Sequence, residues 1–296
     1  MIGTQATRVA LAQAAVWLIW GSTYYGVRVL VQTVPPFFGM GSRFFVAGLA
    51  VLLFLRLRGT ALPRAGEWAG ATIGGVMMVA VGNGAVAYTE QTVPSNLVAL
   101  TVALMPLWMV MFDRLINGVS PPRVTLLGIA LGFVGVAVLL GPSDVAEAAD
   151  ITLIGAATVM AGSMSWGLGS VLTRRMARPT SVMMGTAAQM IWGGLALMIL
   201  SGGVGEWGRL STALLTQKNV VVWLYLVVAG SVIAYSAYVY LLHHTTPARA
   251  GSYAFVNPVI AVVIGSGLGG EPLNSRVGIA AVLIVSAVAV IVSHRQ

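Results

Sequence analysis

The chain has 296 residues, of which 58% are hydrophobic and 8% charged, whereas an ordinary soluble domain has roughly 25% charged residues. This composition excludes a water-soluble globular protein and indicates that most of the chain lies in a lipid bilayer. The formal net charge is +8, but basic residues of a membrane protein chiefly set its orientation, so we predict no nucleic-acid partner. The chain has no cysteine and no His/Asp/Glu group at ligand spacing, so we predict neither a metal nor another cofactor.

Ten apolar runs, bounded by charges, prolines, glycines or polar turns, predict ten transmembrane helices. In chain order they fall at 9–31, 37–55, 69–89, 95–112, 124–141, 151–173, 181–201, 221–242, 250–268 and 277–293. Unpaired backbone groups are too costly in lipid and barrel-type alternation is absent, so the predicted fold class is an all-α integral membrane protein. Only two charged side chains, Arg28 and Arg43, lie in these runs. Each is near a predicted helix end, where we expect its guanidinium to reach the headgroups.

The basic residues between the helices predict the orientation of the chain. With a cytoplasmic N-terminus, eleven of them lie on the cytoplasmic side and three, Arg209, Lys218 and Arg276, on the other. An excess of Lys and Arg in cytoplasmic loops is the usual rule for membrane proteins. We therefore predict a multi-pass protein of the bacterial inner membrane, embedded in the lipid bilayer, with both termini in the cytoplasm.

The two halves of the chain share marked positions in the same order and at similar spacing. The first half has Trp20-Gly21, Pro94, Pro106 and Gly128-Ile129-Ala130. The second half has Trp166-Gly167, Pro247, Pro258 and Gly278-Ile279-Ala280. We assign residues 1–141 to a first five-helix unit, 142–150 to an acidic linker and 151–296 to a second unit. Because five is odd, the second unit enters the membrane from the opposite side, which makes the repeat inverted.

An inverted repeat is typical of transporters that work by alternating access around a site near the bilayer midplane. No nucleophile elbow, P-loop or dinucleotide-binding motif occurs in a valid context. We therefore predict a transporter of a small-molecule substrate and not an enzyme. A duplicated scaffold and a membrane-embedded lipid enzyme are the alternatives from other functional classes.

Prolines that interrupt the apolar helices and polar side chains that lie within them are the first candidates for the substrate site. Pro106 and Pro258 each remove one helical hydrogen bond and free a carbonyl for a neighbour, water or ligand. We predict a kinking or gating role for both, with bending for packing alone as the alternative. Asn83 and Asn257 are amides, which can bind both charged groups of a zwitterion. Hydrogen bonding between helices is the alternative for both amides.

Five large side chains are the remaining candidates for substrate binding, of which Trp17 and Trp166 lie some way into their predicted helices and Tyr253 lies one turn before Asn257. They are Trp17, Met105, Trp108, Trp166 and Tyr253. Met105 and Trp108 flank Pro106, and a pliable thioether beside a broad ring suits a cavity that accepts varied apolar groups. For the Trp and Tyr residues, a place in the aromatic belt at the membrane interface is the alternative.

A ridge of small residues, Gly128, Gly132 and Gly135, runs along the fifth predicted helix. Such ridges allow two helix backbones to approach closely. We expect the ridge to pack within the chain, which predicts a monomer. A homodimer interface is the alternative.

The ordered set of positions resembles the drug/metabolite transporter superfamily, specifically its EamA-type ten-helix members. The resemblance covers nearly the whole chain and rests on the repeat, the proline pairs and three segments, namely 20–26 (WGSTYYG), 43–45 (RFF) and 270–273 (GEPL). It implies a central cavity and export of small metabolites. The chain looks most like bacterial aromatic amino-acid exporters (YddG-like), which implies export of aromatic and other neutral amino acids. Export of drugs or cationic compounds is the alternative.

One departure from the superfamily bears on the coupling of transport. Small multidrug members carry an essential glutamate in the first helix, but residues 9–31 of this chain contain no acid. The nearest carboxylates, Glu90 and Asp113, lie at predicted helix ends, where we expect them to face solvent or headgroups. We therefore expect weakly coupled or facilitated transport down a substrate gradient.

Overall fold

The structure is a computed structural model that describes residues 2–120, 122–139, 146–245, 250–251, 253–271 and 273–293. Within these ranges the chain forms ten long helices and no strand, and two short 3-10 helices, Glu206–Arg209 and Thr212–Leu214, lie between the seventh and the eighth. The ten long helices are α1 (2–31), α2 (Pro36–Leu57), α3 (Ala65–Thr89), α4 (Ser95–Asn117), α5 (Arg123–Leu139), α6 (Ala146–Arg175), α7 (Val182–Gly203), α8 (Gln217–His244), α9 (Tyr253–Gly269) and α10 (Ser275–Ser293). The predicted all-α fold with ten helices is confirmed.

The helices have the length and the surface that a bilayer requires. By length and composition, α2, α3, α4, α7 and α8 are able to cross a membrane, while α5, α9 and α10 contain the shorter apolar stretches Arg123–Gly135, Val256–Gly269 and Ser275–Ala287. Large apolar side chains point away from the bundle, including Ile199 and Val282, each with 66% of its surface exposed. Such side chains give the bundle an apolar exterior for contact with lipid.

The helix packing follows the inverted repeat. Helices that are equivalent in the two halves pack against each other, namely α2 with α7, α4 with α9 and α5 with α10. Other contacts between the halves occur twice, with the roles of the two halves exchanged. Helix α3 packs on α6, and its equivalent α8 packs on α1. Helix α4 also packs on α6, and its equivalent α9 packs on α1. This pattern is the one that a twofold relation between two five-helix halves produces.

The predicted unit boundaries fall partly outside the described residues. Helix α6 begins at Ala146, so the last residues of the predicted 142–150 linker are helical, whereas residues 140–145 are outside the described ranges. Pro247, one member of the second proline pair, also lies outside them. The division into the units 1–141 and 151–296 stays a prediction.

The helix bundle has two opposite faces at which the helices are connected. Successive helices alternate in direction, so the connections 32–35, 90–94, 204–216 and 270–274 lie on one face, named here the turn-90 face. The beginning of α1 and the end of α10 lie on the opposite face, named the terminal face. The 204–216 connection coincides with the longer connection that the sequence shows in the second half.

Helices α2 and α7 pack backbone to backbone through glycines. A Cβ atom added to Gly194 in α7 would lie 2.5 Å from the backbone nitrogen of Phe45 and 2.8 Å from the carbonyl oxygen of Gly41 in α2. The small-residue ridge of α5 also packs within the chain, because a Cβ added to Gly135 would lie 2.7 Å from a side-chain carbon of Ile284 in α10. The ridge is therefore occupied by a helix of the same chain, while the predicted monomer is not tested by this contact.

Three helices widen locally to π-helical geometry, at Val16–Trp20 in α1, Gly75–Asn83 in α3 and Leu226–Tyr235 in α8. Helices α3 and α8 are equivalent in the repeat, but α6, the equivalent of α1, is α-helical throughout. Wide turns of this kind occur frequently at functional sites. The last residue of each wide segment lies at the site described in the next subsection.

We predict that Gly194→Ala lowers the free energy of unfolding by about 1–3 kcal/mol, since its added methyl group has no space between the α2 and α7 backbones. The matched control is Gly203→Ala at the end of the same helix, where a Cβ meets no atom within 4 Å. Thermal unfolding of the purified protein, followed by tryptophan fluorescence, measures the difference. Equal melting temperatures for the two variants would contradict the backbone contact.

Candidate functional site

Five aromatic rings form a cluster at the centre of the bundle, referred to below as the ring cluster. They belong to Trp20 in α1, Trp166 in α6, Tyr235 and Tyr238 in α8, and Tyr253 in α9. The centroid of Trp20 lies 5.5 Å from that of Trp166, 5.1 Å from that of Tyr238 and 5.0 Å from that of Tyr253. Trp20 and Trp166 are the equivalent tryptophans of the repeat. Their edge-to-face contact, with an interplanar angle of 86°, is a favoured geometry for aromatic pairs.

Hydrogen bonds hold the ring cluster in place. Trp166 Nε1 donates to the Tyr238 hydroxyl at 3.1 Å, and that hydroxyl also lies 2.8 Å from Ser170 Oγ. Trp20 Nε1 donates to the carbonyl of Gly230 at 3.0 Å, in the wide segment of α8. The Tyr235 hydroxyl donates to Gln189 Oε1 at 3.0 Å. Because the polar atoms of four rings are bonded, the rings are oriented by hydrogen bonds as well as by packing.

A small cavity lies beside the ring cluster, on the side of the turn-90 face. Helix α1 contributes Trp20, Thr23, Tyr24 and Val27 to its wall, and α2, α3, α4, α6 and α9 contribute the rest. About 60 Å³ of the cavity is open to the centres of water molecules, enough for about four to six waters. The cavity as it stands therefore holds water but not a molecule as large as an amino acid.

Arg43 of α2 places a positive charge in the cavity wall, although only 2% of its surface is exposed. Its Nε donates to Ser231 Oγ at 2.8 Å, its Nη1 lies 3.4 Å from Met40 Sδ, and its guanidinium lies 4.5 Å from the centre of the Phe44 ring. No carboxylate in the described part of the chain forms an ion pair with it. Arginine stays charged in proteins, so the cavity carries a fixed positive charge.

The prediction that the guanidinium reaches the headgroups is wrong for Arg43, whereas for Arg28, which lies in the last turn of α1, it stays a prediction. Arg43 does not reach the headgroups, because α2 packs against α7 and α8, which surround the guanidinium with protein. Arg28 is half-buried on the turn-90 face, where its Nη1 donates to the backbone carbonyls of Glu90 and Val93. Both side chains therefore bind protein atoms.

Four of the residues predicted for the substrate site line this cavity, namely Asn83, Met105, Trp166 and Tyr253. Asn83 Nδ2 donates to the carbonyl of Met78 at 3.3 Å within the wide segment of α3, which leaves its Oδ1 available as an acceptor. The Tyr253 hydroxyl is 4.0 Å from Met105 Sδ. These four residues come from four helices, α3, α4, α6 and α9.

The other predicted site residues lie outside the cavity wall. Trp17 packs against the ring cluster from α1. Asn257, with its amide nitrogen turned toward α1, donates to the carbonyls of Trp17 at 3.0 Å and of Tyr253 at 3.1 Å. Trp108 packs edge to face on Phe133 of α5 at 6.3 Å. The Asn257 amide thus bonds across to α1, and Trp108 lies between α4 and α5, while a role of either residue in substrate binding stays a prediction.

The two predicted helix kinks differ in the structure. Helix α4 is interrupted at Ala103–Leu104, just before Pro106, and Val102 at the end of its first part lines the cavity. Helix α9 continues through Pro258. Both prolines are buried and neither lines the cavity. The gating role of both stays a prediction.

Two elements of the site were missed in the sequence. Trp20, Thr23, Tyr24 and Val27 recur at the three- and four-residue intervals of one helix face, a pattern in the printed sequence that marks this face of α1. Ser163 of α6 is a second omission, because its buried Oγ lines the cavity without a hydrogen-bond partner among the described residues. No local pattern marks Ser163.

Two carboxylates of the turn-90 face, the buried Glu206 and the half-buried Glu271, bind the beginnings of helices. Glu206 accepts from the backbone nitrogens of Phe37 at 3.3 Å and Phe38 at 2.8 Å, at the beginning of α2. Glu271 accepts from the backbone nitrogens of Ser95 at 2.9 Å and Asn96 at 3.0 Å, at the beginning of α4. Carboxylates are stabilised at helix N-termini by free N–H groups and the helix dipole.

Glu90 is fully buried, with neither carboxylate oxygen hydrogen-bonded within the described residues. The prediction that Glu90 faces solvent or headgroups is therefore wrong. Asp113 is half-buried at the other end of the bundle and accepts from Asn117 Nδ2. The expectation of facilitated transport depended on the absence of a buried carboxyl group, and the position of Glu90 removes that premise.

The sequence profile of the EamA-like transporter family matches residues 8–141 and 153–293, once in each half of the chain. The chain belongs to the EamA-like transporter family. This EamA transporter is 40% identical over 278 residues to the protein named uncharacterized inner membrane transporter YedA from Escherichia coli K12, covering 94% of this chain and 88% of YedA. It is 24% identical over 286 residues to the uncharacterized transporter YvbV from Bacillus subtilis, covering 96% and 92%.

A solved crystal structure of a protein with 18% sequence identity superposes on the EamA transporter with a TM-score of 0.70 over 96% of both chains, so the two share a fold. The family match confirms the predicted resemblance to EamA-type members of the drug/metabolite transporter superfamily. It also confirms the prediction of a membrane transporter and not an enzyme. The aromatic amino-acid exporter subtype stays a prediction.

We predict that Tyr238→Phe lowers the free energy of unfolding by about 1–3 kcal/mol, because it leaves the buried Trp166 indole nitrogen without its acceptor. Tyr240→Phe is the matched control on the same helix, since the Tyr240 ring stacks on His244 near the terminal face. Melting temperatures in detergent measure both effects. A Tyr238 variant as stable as the Tyr240 variant would show that the hydroxyl does not hold the ring cluster.

Proposed function

We propose that this EamA transporter exports amino acids, aromatic and other neutral ones, by alternating access between its two halves. The observation that carries the proposal is the buried, unpaired guanidinium of Arg43 in the cavity wall. A buried charge is stable only with a partner of opposite sign or a good set of hydrogen bonds. The carboxylate of an amino acid supplies that partner when the cavity is occupied.

The rest of the cavity suits the other parts of an amino acid. Asn83 Oδ1 and Ser163 Oγ are acceptors for the ammonium group, on the α3 and α6 sides of the cavity. The rings of Trp20, Trp166 and Tyr253 offer a broad apolar surface for the side chain of the substrate. Aromatic and aliphatic side chains both bind such a surface, which favours broad specificity for neutral amino acids.

The position of the ring cluster suits alternating access. In α1, Val27 lies seven residues beyond Trp20 toward the turn-90 face, about 10 Å along a helix axis. The cavity therefore extends toward the turn-90 face, and the rings lie between it and the terminal face. Rings from both halves meet in the cluster, so rocking of the halves separates them and opens the cavity toward the terminal face, as expected for inverted-repeat transporters.

The proposal includes the membrane in which the protein lies, its orientation there and its oligomeric state. The name of YedA describes an inner membrane transporter, which supports a multi-pass place in the bacterial inner membrane for this chain as well. The excess of arginine in the connections of the terminal face supports a cytoplasmic position for that face and for both termini. The intramolecular packing of the glycine ridge supports a monomer.

The same guanidinium disfavours the alternative of an exporter of cationic compounds. A cation in the cavity would be repelled by Arg43, and no carboxylate lines the described cavity wall to balance that charge. Cationic substrates in a membrane interior need a buried carboxylate close to the site. The charge of the cavity therefore selects for a substrate with a negative group.

We predict that Arg43→Gln lowers phenylalanine counterflow in proteoliposomes by at least about tenfold, because it removes a hydrogen-bonded charge from the carboxylate site. Arg56→Gln, at the exposed end of the same helix, is the matched control and retains counterflow. Phenethylamine, which lacks the carboxylate, should exchange poorly in the unmodified protein. Exchange of phenethylamine or quaternary amines without exchange of any amino acid would reject the proposal.

We predict that Asn83→Ala and Asn257→Ala affect different properties. Asn83→Ala raises the phenylalanine concentration for half-maximal counterflow and leaves the melting temperature within about 2 °C, because the amide lines the cavity at the surface of a wide turn. Asn257→Ala lowers the melting temperature, because its amide joins α9 to α1, and counterflow per folded molecule is retained. The opposite assignment of effects would place the substrate at α9 instead of α3.

A further inference from the structure

Glu90 is the one carboxyl group with a described side chain on the turn-90 face that no hydrogen bond satisfies. It follows the last residue of α3 and has 0% of its surface exposed, and both carboxylate oxygens lack a partner within the described residues. Glu206 and Glu271, on the same face, each accept from two backbone nitrogens. Both of these carboxyl groups therefore have hydrogen-bond donors, whereas an ionised Glu90 would have no compensating bond.

The charged and titratable groups that face Glu90 come from three elements. Helix α1 supplies Arg28 and Tyr24, α2 supplies Arg43, and the turn between α9 and α10 supplies Glu271. The Arg28 guanidinium donates to the backbone carbonyls of Glu90 and Val93, so its hydrogen bonds are directed to the main chain and not to the carboxyl group. None of these groups forms an ion pair with the Glu90 carboxylate among the described residues.

Burial raises the pKa of the Glu90 carboxyl well above its usual range, and the nearby Glu271 carboxylate raises it further. Arg28 and Arg43 act in the opposite direction but do not outweigh burial. The surroundings of Glu90 are a poor site for a metal ion, because hard cations need several oxygen ligands. The described residues contain no group of three or more His, Cys, Asp or Glu side chains that could hold a metal ion, and the nearby Arg28 and Arg43 repel metal cations. The Glu90 carboxyl group is therefore suited to binding a single proton.

We propose that Glu90 is a proton-binding site whose occupancy is linked to closure of the turn-90 face. In the closed arrangement, the carboxyl group carries the proton and Arg28 bonds to the 90–94 turn. When this face opens, the carboxyl group becomes hydrated and releases its proton to water. Arg28, freed from the turn carbonyls, then pairs with the Glu90 carboxylate. Closure reverses each step and takes one proton from the water on that side.

The protonation itself is tested by infrared titration of the purified protein, without any substrate. The unmodified protein should show a carboxylic-acid C=O absorption that persists above the pH at which ordinary glutamates ionise, about 4.3. Glu90→Gln should abolish that absorption. Glu67→Gln, at the beginning of the same helix and partly exposed, should retain it. Persistence of the absorption in the Glu90 variant would assign it to another group and overturn the proposal.

Proton binding by Glu90 also makes the stability of the folded protein depend on pH. The folded state holds the proton above the pH at which the unfolded chain loses it, so stability falls as the pH rises from the ordinary carboxyl pKa to the raised one. The melting temperature of the unmodified protein should therefore fall over this range more steeply than that of Glu90→Gln. Parallel curves for the two proteins would show that Glu90 is ionised in the folded state.

The link to closure is tested with a single cysteine, because the natural chain has none. Val86 lines the cavity one turn before Glu90, so Val86→Cys reports access to the cavity. Labelling by an impermeant maleimide should accelerate with pH more steeply in the otherwise unmodified chain than with Glu90→Gln added, by up to about tenfold per pH unit below the raised pKa. The double variant controls for the thiol itself. An equal dependence on pH in both would separate Glu90 from closure. None of the three tests uses a substrate, so a failure of amino-acid counterflow leaves all three results interpretable.

Discussion

The central site depends on the burial of one guanidinium, that of Arg43, among apolar helices. A charged side chain in the interior of a membrane is costly, and Arg43 is retained there by the hydroxyl of Ser231, the sulfur of Met40 and the face of the Phe44 ring. Ser231 in turn donates to the carbonyl of Leu226, five residues earlier in the wide segment of α8. The position of the charge and the local geometry of α8 therefore support each other.

The sequence predicted the ten helices and the inverted repeat because both follow from patterns that the bilayer imposes along the chain. Apolar runs report which residues enter lipid, and the recurrence of tryptophan, proline and glycine reports the duplication. The depth of a residue within the bundle follows instead from contacts between distant helices. Arg43 is only seven residues from the beginning of α2 and so resembled a headgroup-facing residue. Its burial follows from the packing of α2 on α7 and α8.

The composition of the cavity was only partly predictable for a related reason. Met105, Trp166 and Tyr253 are large side chains next to a marked position of the sequence, namely Pro106, the repeated Trp-Gly pair and Asn257, and this proximity was sufficient to select them. Trp17 was selected for its position one turn before the Trp-Gly pair, whereas the structure places Trp20, the last residue of the wide segment Val16–Trp20, in the cavity wall. The burial of Glu90 was not predicted, because the sequence does not show that Arg28 bonds to the 90–94 turn. In sequence, this turn has the same features as an exposed one.

Helix α1 contains a wide segment at Val16–Trp20, whereas its equivalent α6 is α-helical throughout. In an inverted repeat, the opposite-facing state arises when the two halves exchange conformations. If the proposed alternating access exchanges the conformations of the two halves in this way, the wide turn before Trp20 becomes regular and a wide turn forms before Trp166, where α6 is α-helical in this structure. Such an exchange rotates both indoles about their helix axes and requires little movement of either helix through the lipid.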